Sequence, residues 1–164
     1  MMDNIVLIGM PGAGKSTVGV LLAKRLGYRF VDTDLLIQEK EGKRLFEILR
    51  DNGNEYFAAT ENKIVASLKA ERSVIATGGS VVFGTDAMEN LKSLGKVVYL
   101  KVPLAELEKR VNNFETRGIL MKRGQTLKDI YEERTSLYEK YADLTVDCDC
   151  DLAQNAIKIE EALK

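Results

Sequence analysis

Histidine and tryptophan are absent from the 164 residues, and cysteine occurs only twice. Without imidazole there is no histidine base, no histidine nucleophile and no His-ligated metal site. The two thiols, Cys148 and Cys150, stand too close together for a Cys-x-x-Cys redox or zinc motif, and no second ligand pair accompanies them. They read as reduced cysteines of no special role. Net charge is nearly absent too, with 24 Lys+Arg against 25 Asp+Glu. A chain so balanced has no global field to draw nucleic acid or an anionic membrane surface. Long apolar runs are also missing. The first, Ile5–Ile8, has no basic flank and is far shorter than a signal core of about 7–15 residues, and nothing approaches the ~18 of a membrane span. The expected compartment is the reducing cytoplasm.

What is present is a globular composition, 45% hydrophobic and 30% charged, at a length that suits one domain over residues 1–164. Short β-branched runs recur at Ile5–Ile8, Phe30–Val31, Val74–Ala76, Val97–Leu100 and Leu144–Val146. Such runs predict strands buried on both faces, hence a parallel sheet. Helical spacing appears between them. It covers Val18, Leu21, Leu22 and Leu26, then Asn54–Ala70, then Leu104, Leu107 and Val111, and last Leu127–Tyr141. Strand–helix alternation along the whole length predicts a three-layer α/β domain with helices on both faces of the sheet. Residues 112–126 carry Arg117, Lys122, Arg123 and two glycines but few core positions. That composition fits a loop that closes over a ligand, or equally a solvated linker.

Gly9-Met-Pro-Gly-Ala-Gly14-Lys15-Ser16 follows the first strand directly and precedes a helix. It matches G-x-x-x-x-G-K-[ST], a pattern that composition alone would produce here with a chance of about 0.01. Glycines let backbone N–H groups wrap phosphates, and the helix start adds unpaired N–H groups and a positive dipole end. Gly12, Ala13, Gly14, Lys15, Ser16 and Thr17 are therefore the expected nucleotide-binding residues. Lys15 would reach the β- and γ-phosphates, and the Ser16 hydroxyl would ligate Mg²⁺. A guanine-reading Asn/Thr-Lys-x-Asp is not found. The nearest stretch, Asn62-Lys63-Ile64-Val65, lacks the aspartate, which favours ATP.

Asp32-Thr33-Asp34 closes the apparent second strand, on the edge of the sheet where an α/β domain binds its ligands. Phosphoryl transfer needs one carboxylate for Mg²⁺ or its water and another for the acceptor hydroxyl. Asp32 suits the first task and Asp34 the second. A competing role is helix capping by Thr33 or Asp34, ahead of a helix beginning at Leu35. After the third run, Thr77-Gly78-Gly79-Ser80 offers backbone against which a ligand can lie.

These residues together resemble the shikimate kinases, small P-loop kinases of the nucleoside-monophosphate-kinase fold. The likeness runs to about Asp149. It rests on the phosphate loop, Asp32-Thr33-Asp34, Phe57 and Glu61, Thr77-Gly78-Gly79, Arg117 and Leu120, and Glu133-Arg134 with Tyr138. It implies a five-stranded parallel sheet, ATP with Mg²⁺, and γ-phosphate transfer to a ring hydroxyl of a small carboxylic acid. It further implies that Asp34 meets the acceptor hydroxyls, that Gly78 and Gly79 contact the acceptor, and that Arg134 grips its carboxylate. Arg117 would close on the ATP phosphates, and Arg110 would lie near the adenine.

Three departures fall mostly on the acceptor side. The family's Phe-Arg-x-x-Glu is Phe57-Ala58-Ala59-Thr60-Glu61, its third glycine is Ser80, and its Arg-Pro-Leu-Leu is Arg117-Gly118-Ile119-Leu120. The missing arginine would contribute roughly 1.5–3 kcal/mol to carboxylate binding. Glycine for proline exchanges a stiff lid turn for a loose one. Three readings remain: a kinase acting on shikimate with compensation elsewhere, a kinase acting on another small hydroxyl compound or a nucleoside monophosphate, and a non-catalytic ATP-binding regulator. A single copy, binding ATP and a small acceptor, is the expected assembly, because no apolar stripe is surplus to the core.

Overall fold

The computed structural model describes residues 4–111 and 117–164. Five strands form one parallel sheet: β1 (Asn4–Ile8), β2 (Arg29–Asp32), β3 (Ser73–Ala76), β4 (Lys96–Lys101) and β5 (Leu144–Asp147), in the spatial order β2-β3-β1-β4-β5. The apolar runs explain the centre of that order. Every residue of β1 and β3 is buried, as parallel strands covered on both faces require. Each strand is one or two residues longer than its apolar run because the ladder continues into polar neighbours, as Asn4 pairs with Ser73.

Among the described residues, seven helices connect and cover the strands: α1 (Lys15–Leu26), α2 (Thr33–Glu41), α3 (Leu45–Ala66), α4 (Thr85–Leu94), α5 (Leu104–Arg110), α6 (Leu127–Tyr141) and α7 (Leu152–Ala162). Helices α1 and α7 pack together over one face of the sheet. On the other lie α4 and α6, both against the short 3₁₀ turn Val81–Phe83. The strand register confirms the two sides. Leu7 faces Gly19 of α1, whereas Tyr99, level with Ile8, faces Tyr138 of α6.

The helix expected over Asn54–Ala70 starts nine residues earlier, at Leu45, and ends at Ala66. It is broken at Gly53, whose φ of 85° lies outside the helical range. The two halves bury Ile48 and Phe57 against Ile37 of α2, forming a small second apolar cluster with Leu45. Helices α4 and α7 carry no expectation from the sequence. Among the described residues, no helix is long and apolar enough to cross a membrane.

Candidate active site

The phosphate loop joins the end of β1 to α1. Gly14, the residue before the helix, has φ 90°, and a Cβ there would lie 2.7 Å from Leu152 Cδ2, so only glycine fits. No side chain caps α1, and its first turn holds no acidic residue. The first N–H groups of the helix are thus left for an anion. Lys15 is buried, its ammonium donating to the carbonyl oxygens of Gly9 at 2.6 Å and Met10 at 2.8 Å. Burial lowers its pKa to about 8, with Asp34 pulling the other way.

Asp32 serves two partners. One oxygen accepts the backbone N–H of Asp34 at 2.9 Å, capping α2, and the other accepts the Ser16 hydroxyl at 2.8 Å. The cap of α2 is therefore Asp32, and the helix begins at Thr33, ahead of the expected Leu35. Thr33 and Asp34 lie inside the first turn. Capping occupies one carboxylate oxygen and leaves its twin beside Ser16. Paired hydroxyl and carboxylate oxygens suit a hard cation such as Mg²⁺, which takes few protein ligands and keeps waters and phosphate oxygens. Among the described residues, no cluster of three or more carboxylates or thiols offers a protein cage for a metal instead.

Across the cavity, Asp34 and Glu61 converge on Gly78. A Cβ on Gly78 would fall 2.8 Å from Asp34 Oδ1 and 3.0 Å from Glu61 Oε2, so any side chain there would push into both carboxylates. Burial and the nearby Asp32 raise the Asp34 pKa to about 6, against the pull of Lys15. Glu61 rises to about 7, chiefly through burial, with the Ser80 hydrogen bond opposing. Two carboxyls thus titrate near neutrality in a chain that has no histidine.

Helix α6 supplies the third wall. Arg134, 2% exposed, lays its guanidinium 5.2 Å from the Phe83 ring centre and donates one N–H to the Leu120 carbonyl. Its Nε and Nη1 have no partner among the described residues. Buried N–H donors on a cation are costly to leave unpaired, and an anion is the kind of partner that would satisfy them. One turn on, the Tyr138 hydroxyl donates to the Gly79 carbonyl at 2.6 Å while its ring stacks on Tyr99. Gly79 in turn touches Pro11 so closely that a Cβ would lie 2.7 Å from the proline ring. The glycine turn is therefore held between the phosphate loop and α6.

Among the sequence-predicted residues, Gly12, Gly14, Lys15, Ser16, Thr17, Asp34, Gly78, Gly79, Arg117 and Arg134 all line one cavity of about 190 Å³. Three others do not. Ala13 is buried beneath the loop, and Asp32 reaches the cavity only through Ser16. Arg110 sits behind the loop, donating to the Gly12 carbonyl at 3.1 Å and the Asp149 carbonyl at 2.7 Å, and pairing with Glu106. Of the lid segment 112–126, residues 112–116 lie outside the described residues. Gly118 corrects the expectation of a loose turn. It has φ 70° and lies so near α3 that a Cβ would be 2.4 Å from that of Leu45. Its turn is tight and left-handed, a conformation proline cannot adopt. Ala58 does not line the main cavity. It borders two adjoining ones of about 360 and 270 Å³, each of which also touches Phe83. Sequence reasoning assigned no bracing task to Tyr138, although its place four residues after Arg134 puts both on one helix face.

The geometry has close counterparts. A family model described as "Shikimate kinase" matches residues 11–164. The shikimate kinase of Clostridium botulinum (strain Okra / Type B1) is 44% identical, the alignment covering 99% of this chain and 97% of the relative. That of Persephonella marina is 37% identical over 88% of each. Among solved structures, shikimate kinase from Acinetobacter baumannii in complex with shikimate superposes with a TM-score of 0.90 at 32% identity, covering 99% of this chain and 93% of that one. The enzyme from Aquifex aeolicus gives 0.82 at 30% identity, covering 98% and 95%.

Proposed function

The chain belongs to the shikimate kinase family, and on that footing we propose that it transfers the γ-phosphate of ATP to a hydroxyl of shikimate, giving shikimate 3-phosphate. It is an ATP-dependent kinase with an alcohol group as acceptor. The observation that carries the substrate reading is the meeting of Lys15, Asp34 and Arg134 around one cavity. Lys15 faces the phosphate side, and Arg134 brings two free N–H groups to an acceptor carboxylate. Asp34 lines the same cavity close to Lys15, and in this reading it takes the proton of the reacting hydroxyl.

Each residue has a definite task in this reading. The uncapped start of α1 binds the phosphates through backbone N–H groups, and Thr17 and Gly12 border that cradle. Asp34, ionised, accepts the acceptor hydroxyl and takes its proton as the bond to phosphorus forms. Lys15 and Arg117 offset the charge that develops on the transferring group. Ser16 and Asp32 would hold Mg²⁺, which supplies charge neutralisation to the phosphates when bound. Arg110 supports the nucleotide side from behind the loop. No imidazole is required, because catalysis of this kind is mostly positioning and electrostatics. The enzyme works as a single copy in the cytoplasm, on two small molecules. The net charge of −1 supports a reading without nucleic acid or membrane.

A coupled ADP-release assay with Mg²⁺, ATP and shikimate tests this, run beside hydroxy acids, sugars and nucleoside monophosphates. Shikimate-dependent turnover is expected. Lys15→Met abolishes it, and Asp34→Asn cuts kcat by two orders of magnitude or more (roughly the weight of a general base) while ATP affinity is kept. Turnover on another acceptor alone, or activity that survives Lys15→Met, would overturn the reading.

A further inference from the structure

Glu61 is a buried carboxylate, 3% exposed, in a cavity that it shares with Lys15, Asp34 and Arg134. One oxygen accepts the hydroxyl of Ser80 at 2.7 Å, and Ser80 is itself 7% exposed. The second oxygen has no partner among the described residues and lies over Gly78, next to Asp34. Charged groups face Glu61 from three elements: Asp34 of α2 repels it, while Arg134 of α6 and Lys15 of α1 attract it. None of them hydrogen-bonds it, so among the described residues the Ser80 hydroxyl is its single donor.

Position 58 lies three residues before Glu61 on α3, the spacing at which helical side chains meet. A guanidinium there could hold the Glu61 carboxylate directly, but the residue is alanine. The cavity of about 360 Å³ lined by Ala58, Phe83, Glu61 and Ser80 is room of the kind a longer side chain would fill. Ser80 replaces a glycine of the family pattern, so the chain gains a donor on one side of Glu61 where it lacks one on the other.

We propose that Ser80 is a positioning residue: by donating to Glu61 it fixes that carboxylate and presents its free oxygen to the acceptor, in place of an arginine at position 58. Ala58 and Ser80 then form a linked pair. Glycine at 80 would leave a buried carboxylate without a donor, and burial would keep it protonated near neutral pH. Protonated and free to turn, Glu61 would no longer offer a fixed acceptor beside Asp34. The part played by the acceptor rests on the shikimate kinase reading above, whereas the bond between Ser80 and Glu61 does not.

Two measurements on the full chain test the proposal: steady-state kinetics from pH 5.5 to 8.5, and titration of the Glu61 carboxyl by carbon NMR without substrates. Ser80→Ala is expected to raise the acceptor KM about tenfold at pH 7, the weight of one hydrogen bond to a charged group, with the KM for ATP little changed. The Glu61 titration should move up by about one unit. Adding Ala58→Arg to Ser80→Ala should recover most of the acceptor KM and bring the titration back down. Ser80→Gly gives the same comparison should alanine disturb folding. An unmoved Glu61 titration, or losses in the double variant that simply add, would overturn the proposal. Failure of the wild-type chain to phosphorylate shikimate, with the titration still moving in Ser80→Ala, would remove the substrate reading and leave the coupling.

Discussion

Asp34 stands beside Asp32 and within reach of Glu61, and its pKa of about 6 exceeds the ordinary aspartate value because burial and that neighbour disfavour the ionised form. The folded chain therefore holds this proton more tightly than the unfolded chain does. The sign follows: its contribution to stability is greatest below about pH 4 and is lost as pH rises through about 6. At pH 7 the fold carries the cost of an ionised Asp34. Asp34→Asn is expected to stabilise the protein at pH 7 by about 1–3 kcal/mol, although it disables turnover. Urea denaturation at pH 7 and at pH 4 checks this, and the gain should vanish at the lower pH. In the wild type, kcat/KM should fall as pH drops through about 6, well above the usual carboxylate range. A fall only near pH 4 would mean that Asp34 is less buried in the working enzyme.

The lid turn and the helices around it act as units. Gly118 joins the lid to the start of α3 through a left-handed turn pressed against Leu45. Gly118→Ala adds the strain of a positive φ and a contact that cannot be accommodated without movement, each about 1 kcal/mol or more. We expect faster proteolysis within the lid and a drop in acceptor kcat/KM of about tenfold, with urea stability of the central sheet almost unchanged. The same turn marks where sequence reasoning stopped. Composition alone makes Arg117-Gly118-Ile119-Leu120 look loose, because a contact with a residue more than seventy positions earlier leaves no local trace. The strands were legible because full burial forces continuous apolar runs. The phosphate loop was legible because its glycines and lysine are fixed by local geometry. Helix α4 was overlooked although Ala87, Met88, Leu91 and Leu94 stand at helical spacing and turn one face to the core. The Ser80–Glu61 bond was hidden, since it joins two elements nineteen residues apart. Asp32 was read as a Mg²⁺ ligand and was missed as a cap, since one oxygen caps α2 while the other meets Ser16.

Across the whole molecule the two ends of the sheet divide the work. Every proposed reacting group lies past the carboxyl ends of the strands, whereas the opposite end is closed by Asn4, 1% exposed. Its amide donates to the carbonyls of Ala70 and Leu94, and its oxygen accepts the Ser73 N–H, tying three segments to β1. Asn4→Ala leaves these backbone groups buried without partners and should cost about 2–4 kcal/mol, read as a lower melting temperature. Turnover at 20 °C should stay near the wild-type value, because β1 separates the two ends by about 13 Å. Loss of both together would mean that the ends are not independent. The position of β1 has a further consequence. It lies in the middle of the sheet, yet its register partners begin at Ser73 on one side and Lys96 on the other. On a ribosome adding about 5–20 residues per second, this strand is made on the order of ten seconds before both neighbours exist. During that interval the most apolar strand of the enzyme is an unpaired nascent segment. Until β4 is made, one edge of β1 has no strand to pair with, and only α1, β3 and the segments between them are there to cover it.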